Sequence, residues 1–171
     1  MLMKQVNKKT SVPTVAGNNN AWSTSIGFKE KAVVQKIIES IKKSEYFQQA
    51  FTHTSYCNEN NLSKSYETLE FLGDSILNFY TCLFIYHSFP HYSEGQMSKL
   101  KQLMVKESTL AHLSKEIDLG GFLQLGTGEK NNQGASKSSI LADIFESFVA
   151  ALYLEKGGKL VYKFLNHTLF L

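Results

Sequence analysis

Acidic side chains sit in two stretches too apolar to leave them as ordinary surface charge. Along Tyr66-Glu67-Thr68-Leu69-Glu70-Phe71-Leu72-Gly73-Asp74-Ser75-Ile76-Leu77-Asn78, a helical turn of about 100° per residue puts Glu67, Glu70, Asp74 and Asn78 on one narrow stripe. Phe71, Leu77 and Tyr80 leave little of that helix for water, so some of these acids are expected to be buried. A buried carboxylate needs a cation or a hydrogen-bond partner. The second stretch, Ser138 to Leu154, holds Asp143 and Glu146 at i and i+3 as its only acids and contains no lysine. An ion pair within the helix therefore cannot offset their charge. Packed side by side, the two helices would bring Glu70, Asp74, Asp143 and Glu146 together. Four carboxylates without nitrogen or sulfur ligands suit a hard divalent cation, ordinarily Mg²⁺. Left open to water, such a site does metal-assisted phosphoryl chemistry. From spacing alone, a purely structural acid cluster stands as an equal alternative.

The elements that must position these acids read as helices. Val33, Val34, Ile37, Ile38 and Ile41 recur at helical spacing in a segment that begins near Phe28, and Tyr46, Phe47, Ala50 and Phe51 suggest a short second helix. A polar loop is expected across Asn58–Lys64. The long acid-bearing helix should run from about Tyr66 to Ser88, stopped by Pro90, with Leu69, Leu72, Ile76, Phe79 and Leu83 facing the core. Ser93-Glu94-Gly95-Gln96 has the form of a capping box and opens a helix through Val105. Another spans Glu107–Ile117. Five glycines and several polar residues make Gly120–Gly134 a loop with little regular structure. Ser138 or Ser139 can cap a helix to about Lys156, Gly157-Gly158 ends it, and Leu160–Leu169 adds a last turn or two. Alternating strand patterns are almost absent, so the expected fold is all-α, without internal repeats.

The 171 residues allow one domain of 28–171 behind a flexible Lys/Asn/Ser-rich tail at 1–27, for which a transit peptide is the less ordinary reading. With 43% hydrophobic and 19% charged residues the chain can form a packed core. No apolar run is long enough for a membrane span or a secretory signal. Two cysteines without a CxxC motif exclude a disulfide scaffold and a structural zinc site, which makes a cytoplasmic setting the expectation. The net charge of +3 resides in the leader: all 18 basic residues are lysine, and beyond residue 29 lysines and acids nearly balance. Electrostatics alone does not announce a polyanion binder. His87 and His91, separated by Pro90, do not form a ligand pair; His53 reads as a packing residue and Cys82 as core. The aromatic content reads as packing, because stacking platforms usually lie on sheets.

Glu67-Thr68-Leu69-Glu70-Phe71-Leu72-Gly73-Asp74-Ser75 resembles the hallmark nonapeptide of the ribonuclease III endonuclease domain. Four further segments follow that family's order: Ala50-Phe51-Thr52-His53-Thr54-Ser55-Tyr56, Phe89-Pro90 with Ser93-Glu94-Gly95 and Met97-Ser98, Leu125-Gly126 with Gly128-Glu129, and Ser139–Leu154. The resemblance implies a ribonuclease III-like helical bundle in which Glu70, Asp74, Asp143 and Glu146 bind Mg²⁺, for which Mn²⁺ can substitute. Asp74 and Glu146 would be catalytic, with Glu146 holding the ion most directly responsible for chemistry. Glu67 and Glu94 match positions used in substrate positioning. Phe71 matches an aromatic inserted into a second subunit.

The implied activity is cleavage of double-stranded RNA, not DNA, by a homodimer. It would leave 5′-phosphate and 3′-hydroxyl ends with two-nucleotide 3′ overhangs, in processing of ribosomal-RNA precursors and structured RNA. The family typically continues into a double-stranded-RNA-binding domain, and none is expected in this chain. Thr54, Lys99, Lys101 and Lys137 stand where the family often has arginine, which loses the bidentate fork but leaves the four carboxylates untouched. Two other readings are an inactive relative serving as an RNA-binding or ribosome-associated scaffold, and a metal-dependent phosphohydrolase of small nucleotides.

Overall fold

Apolar residues at helical spacing close into nine α-helices over residues 25–171, the part of the chain that the computed structural model describes. They are α1 (Phe28–Ile41), α2 (Glu45–Ala50), α3 (Thr54–Asn60), α4 (Glu67–Ser88), α5 (Glu94–Met104), α6 (Glu107–Glu116), α7 (Thr127–Asn131), α8 (Ser138–Lys156) and α9 (Gly158–Asn166). The expected tail falls almost wholly outside the described residues. The all-α expectation holds: the extended pairing among the described residues is a single isolated bridge, Thr52 to Gln124.

α8 is the axis. A helix that is apolar all round belongs in a core, and Ile140, Leu141, Ile144, Phe145, Phe148, Val149 and Leu152 are all buried on it. α4, α6, α2 and α9 pack around it, with α4 and α6 making the broadest contacts. Phe148 anchors the centre, its ring 6.2 Å from Phe47, 6.0 Å from Phe51 and 5.1 Å from Phe164. Local signals set the ends of the flanking helices. The Ser44 hydroxyl accepts from Phe47 N at 3.1 Å to start α2. The capping box at α5 forms in both directions: Ser93 Oγ accepts from Gln96 N, and Gln96 Oε1 accepts from Ser93 N at 2.8 Å. Pro90, without an N–H, lies just beyond the end of α4. Among the described residues, no helix is long and apolar enough to cross a membrane.

Five features differ from the expectations. The loop placed at Asn58–Lys64 begins later, because α3 continues to Asn60 and is closed by Asn61 in the left-handed region (φ 54°). Gly120–Gly134 is not irregular: 3-10 turns at Leu119–Phe122 and Gly134–Ser136 flank α7. These short pieces are held by distant partners, since Glu59 accepts from Thr127 N at 2.8 Å and Gln124 N donates to Phe51 O at 2.8 Å. α8 starts from Lys137 with no side-chain cap, and Ser138 and Ser139 lie inside its first turn. α4 is rotated from the expected register: its buried stripe is Leu69, Gly73, Leu77, Thr81 and Ile85, whereas Leu72, Ile76 and Leu83 are half-buried and Phe79 is 58% exposed. The small Gly73 lets that stripe approach α8 more closely than bulkier neighbours could. With the rotation, Cys82 moves to the outer face and is exposed rather than core.

Candidate functional site

The site begins with a helix crossing that only glycine permits. At Gly73 an added Cβ would overlap the carbonyl oxygen of Glu146, so the two backbones touch where α4 and α8 cross. Glu70 stands one turn before Gly73 and Asp74 directly after it; Asp143 stands one turn before Glu146 on the facing helix. This crossing brings the four acids that the sequence singled out into one electrostatic neighbourhood.

Burial and mutual repulsion then act on them. Glu70, Asp143 and Glu146 are half-buried, whereas Asp74 is exposed. The Glu146 carboxyl is pushed up to about 8, first by burial and then by the charges of Asp74, Glu70 and Asp143. Glu70 is raised by burial and by Asp143, Glu67 and Asp74. Asp143 is raised by burial as well, opposed by a hydrogen bond from Tyr66, whose hydroxyl donates to Asp143 Oδ2 at 3.1 Å. Asp74 Oδ1 accepts from Asn78 Nδ2 at 2.7 Å, so Asn78 serves the stripe on which the sequence placed it.

The donor set fits a hard divalent cation. The ion pairs among the described residues are Lys31–Glu116, Lys42–Glu39 and Lys137–Glu129, and none involves the four acids. Half-buried carboxylates without a paired cation are the condition that an added cation relieves. As the side chains stand, no three His, Cys, Asp or Glu groups among the described residues converge into a chelating cluster. Mg²⁺ does not require a closed all-protein cage, since it is commonly held by one or two carboxylates while waters and substrate phosphate complete its shell.

The remaining sequence candidates are placed differently. Glu67, exposed in the first turn of α4, accepts from Ser65 Oγ at 3.1 Å and is close enough to raise Glu70 and Asp143. Glu94, exposed in the first turn of α5, accepts from Ser98 Oγ at 2.8 Å and is not among the charges that perturb Glu70, Asp143 or Glu146. Phe71 is 80% exposed and shares the outer side of α4 with Phe79 and Tyr86. His53 packs as expected: its Nδ1 accepts from Ser55 N at 3.0 Å, and its ring meets Tyr66 edge-on. His87 and His91 are both exposed. Sequence reasoning missed Tyr66 and Glu107, both of which act on Asp143. For Tyr66 a signal existed, since a tyrosine opening an apolar helix must find its hydroxyl a partner.

The sequence matches the family described as Ribonuclease-III-like over residues 43–171. It is 43% identical over 150 residues to ribonuclease 3 of Spiroplasma citri, covering 88% of this chain and 60% of that protein. To ribonuclease 3 of Halalkalibacterium halodurans it is 45% identical over 124 residues, or 71% of this chain and 47% of the relative. The chain thus spans about half to three-fifths of the length of these curated relatives. The bundle is similar to the nuclease domain of ribonuclease III from Campylobacter jejuni, with a TM-score of 0.70 at 31% identity, covering 78% of this chain and 93% of that domain. That structure is described as flexible in a region involved in dimer formation.

Proposed function

The chain belongs to the ribonuclease III family, and from that premise we propose that residues 28–171 form a Mg²⁺-dependent endoribonuclease that cleaves double-stranded RNA as a homodimer. The observation that carries this reading is the crossing at Gly73, where two acids from α4 meet two from α8 without a paired lysine. In the proposal, Glu70, Asp74, Asp143 and Glu146 hold the cation, with Asp74 and Glu146 nearest the chemistry. A bound Mg²⁺ supplies activation of a water nucleophile and stabilisation of charge on the phosphate and leaving oxygen. The residues themselves bind and orient: Asn78 steadies Asp74, and the apolar α8 limits the water that reaches Glu146. Glu67 and Glu94 position the RNA. Phe71, offered on the outer side of α4, joins two copies so that each site cuts one strand of an A-form duplex. The products carry 5′-phosphate and 3′-hydroxyl ends with two-nucleotide 3′ overhangs, and the role is processing of ribosomal-RNA precursors and structured RNA in the cytoplasm.

Duplex shape rather than base identity would set specificity. Because lysines and acids nearly balance from Glu30 onward, affinity for the duplex should be low, since counterion release scales with the phosphates neutralised. Incubating the full chain with a long RNA duplex and Mg²⁺ at low salt tests the proposal. Short staggered duplexes, absent when EDTA replaces Mg²⁺, are expected. An intact duplex under these conditions overturns the reading in favour of a scaffold, and mononucleotide turnover with intact duplex favours a phosphohydrolase.

A further inference from the structure

Tyr66 is buried, with 4% of its surface exposed, and its side chain crosses from one acidic helix to the other. The phenol donates to Asp143 Oδ2 at 3.1 Å, across 77 positions of sequence. It is the only side chain among the described residues that hydrogen-bonds to that carboxylate. The backbone of the same residue anchors the opposite helix. Tyr66 N donates to Thr52 O at 2.9 Å, and Tyr66 O accepts from Leu69 N and Glu70 N, both at 2.9 Å, which starts α4. Its ring is held edge-on by His53, with centroids 5.6 Å apart. One residue therefore sets where α4 begins, and so where Glu70 stands, and which way Asp143 is turned.

The type of donor matters. A lysine at this place would pair with Asp143, neutralise it and repel a cation. A neutral hydroxyl fixes the carboxylate's rotation, satisfies one oxygen and leaves its charge and Oδ1 available. We infer that Tyr66 is a positioning residue for the divalent cation, acting through Asp143 by a hydrogen bond that holds the carboxylate in its binding orientation. Second partners of this kind change metal affinity about 10–100-fold when removed. The inference rests on the proposed cation-dependent cleavage.

Tyr66→Phe tests it, because the ring and its packing on His53 remain while the donor is lost. Three measurements on the full chain are needed: Mn²⁺ affinity by calorimetry, the Mg²⁺ concentration for half-maximal duplex cleavage, and the urea midpoint in EDTA. Expected are a rise of roughly 10-fold or more in the Mn²⁺ dissociation constant, a parallel rise in half-saturating Mg²⁺, and recovery of most of the rate at saturating Mg²⁺. An unchanged Mn²⁺ affinity overturns the inference, whether or not the urea midpoint falls, because the bond is then structural only. A second comparison guards against a folding artefact. In an Asp143→Asn background, Tyr66→Phe should add no further loss of Mn²⁺ affinity; a full additional loss also overturns the inference. The two readings fail separately. A wild-type chain that binds Mn²⁺ and cleaves duplex, with a Tyr66→Phe variant of equal affinity, removes only the role of Tyr66. A wild-type chain that neither binds nor cleaves removes both.

Discussion

α8 and α4 each bring two acids to the same crossing, but they treat them in opposite ways. α8 is surrounded along its middle, so Asp143 and Glu146 interrupt the otherwise buried run 140–152 and are shifted toward their protonated forms. α4 is buried along one stripe only. Its Asp74 stays in solvent with Asn78 as a partner, and its outer side leaves Phe71, Phe79 and Tyr86 80%, 58% and 65% exposed. Charge inside a core is unfavourable unless something offsets it, and large apolar groups in water ask for a surface to cover them. In the proposed function, α8 therefore supplies the demand for a cation, and α4 presents one face to the site and its exposed aromatic face to a second copy.

Gly73→Ala breaks the comparison at the crossing itself. The new Cβ overlaps the Glu146 carbonyl, so α4 and α8 must separate. A loss of about 3 kcal/mol in urea unfolding is expected, with cleavage lost alongside. Gly95→Ala is the control, because a Cβ there meets nothing within 4 Å; it should leave both unchanged or improve stability slightly.

The buried acids of α8 set a pH dependence. Without metal, Glu146 titrates near 8 in the folded chain against an ordinary value of 4.5, and Glu70 and Asp143 shift in the same direction. The folded state thus holds more protons than the unfolded one through this window, so stability falls as pH rises from about 4.5 to about 8 and levels off above. Glu129 and Glu116, held low by Lys137 and Lys31, act below that window. Urea midpoints in EDTA should drop between pH 5 and pH 8 in the wild-type chain and much less in Glu146→Gln. A rise over that range would contradict the burial described for α8.

On the outer side of α4, Phe71→Ala should weaken self-association by about 2 kcal/mol, roughly 30-fold, in sedimentation equilibrium. An unchanged dissociation constant would mean that this face is not where two copies meet. The smallest effect belongs to Thr81, whose hydroxyl is fully buried in α4 without a hydrogen-bond partner. Thr81→Val keeps the shape and removes the unsatisfied group, so thermal unfolding should show a gain of about 1 kcal/mol.

The contrast between the helices also explains what could be read from the residues alone. Periodic apolar positions such as Val34, Ile37, Ile38 and Ile41 located the long helices, and acids stranded in apolar runs located Glu70, Asp74, Asp143 and Glu146. The rotation of α4 was not legible, because Phe71, Leu77, Phe79 and Tyr80 spread apolar groups well beyond one face and a missing side chain, Gly73, decides which side packs. α3 and α7 lack strong periodicity of their own and depend on contacts such as Glu59 with Thr127, 68 positions away. The bond from Tyr66 to Asp143 is a product of the crossing, and local spacing carries no trace of it.

The proposal that the four acids share a cation site is tested most directly by calorimetric titration of Mn²⁺ into the full chain and its Glu146→Gln and Asp74→Asn variants near neutral pH. Tight binding by the wild-type chain is expected, accompanied by proton release as Glu146 ionises, with both signals strongly reduced in Glu146→Gln and affinity reduced in Asp74→Asn. Equal affinity in all three proteins would contradict a shared site.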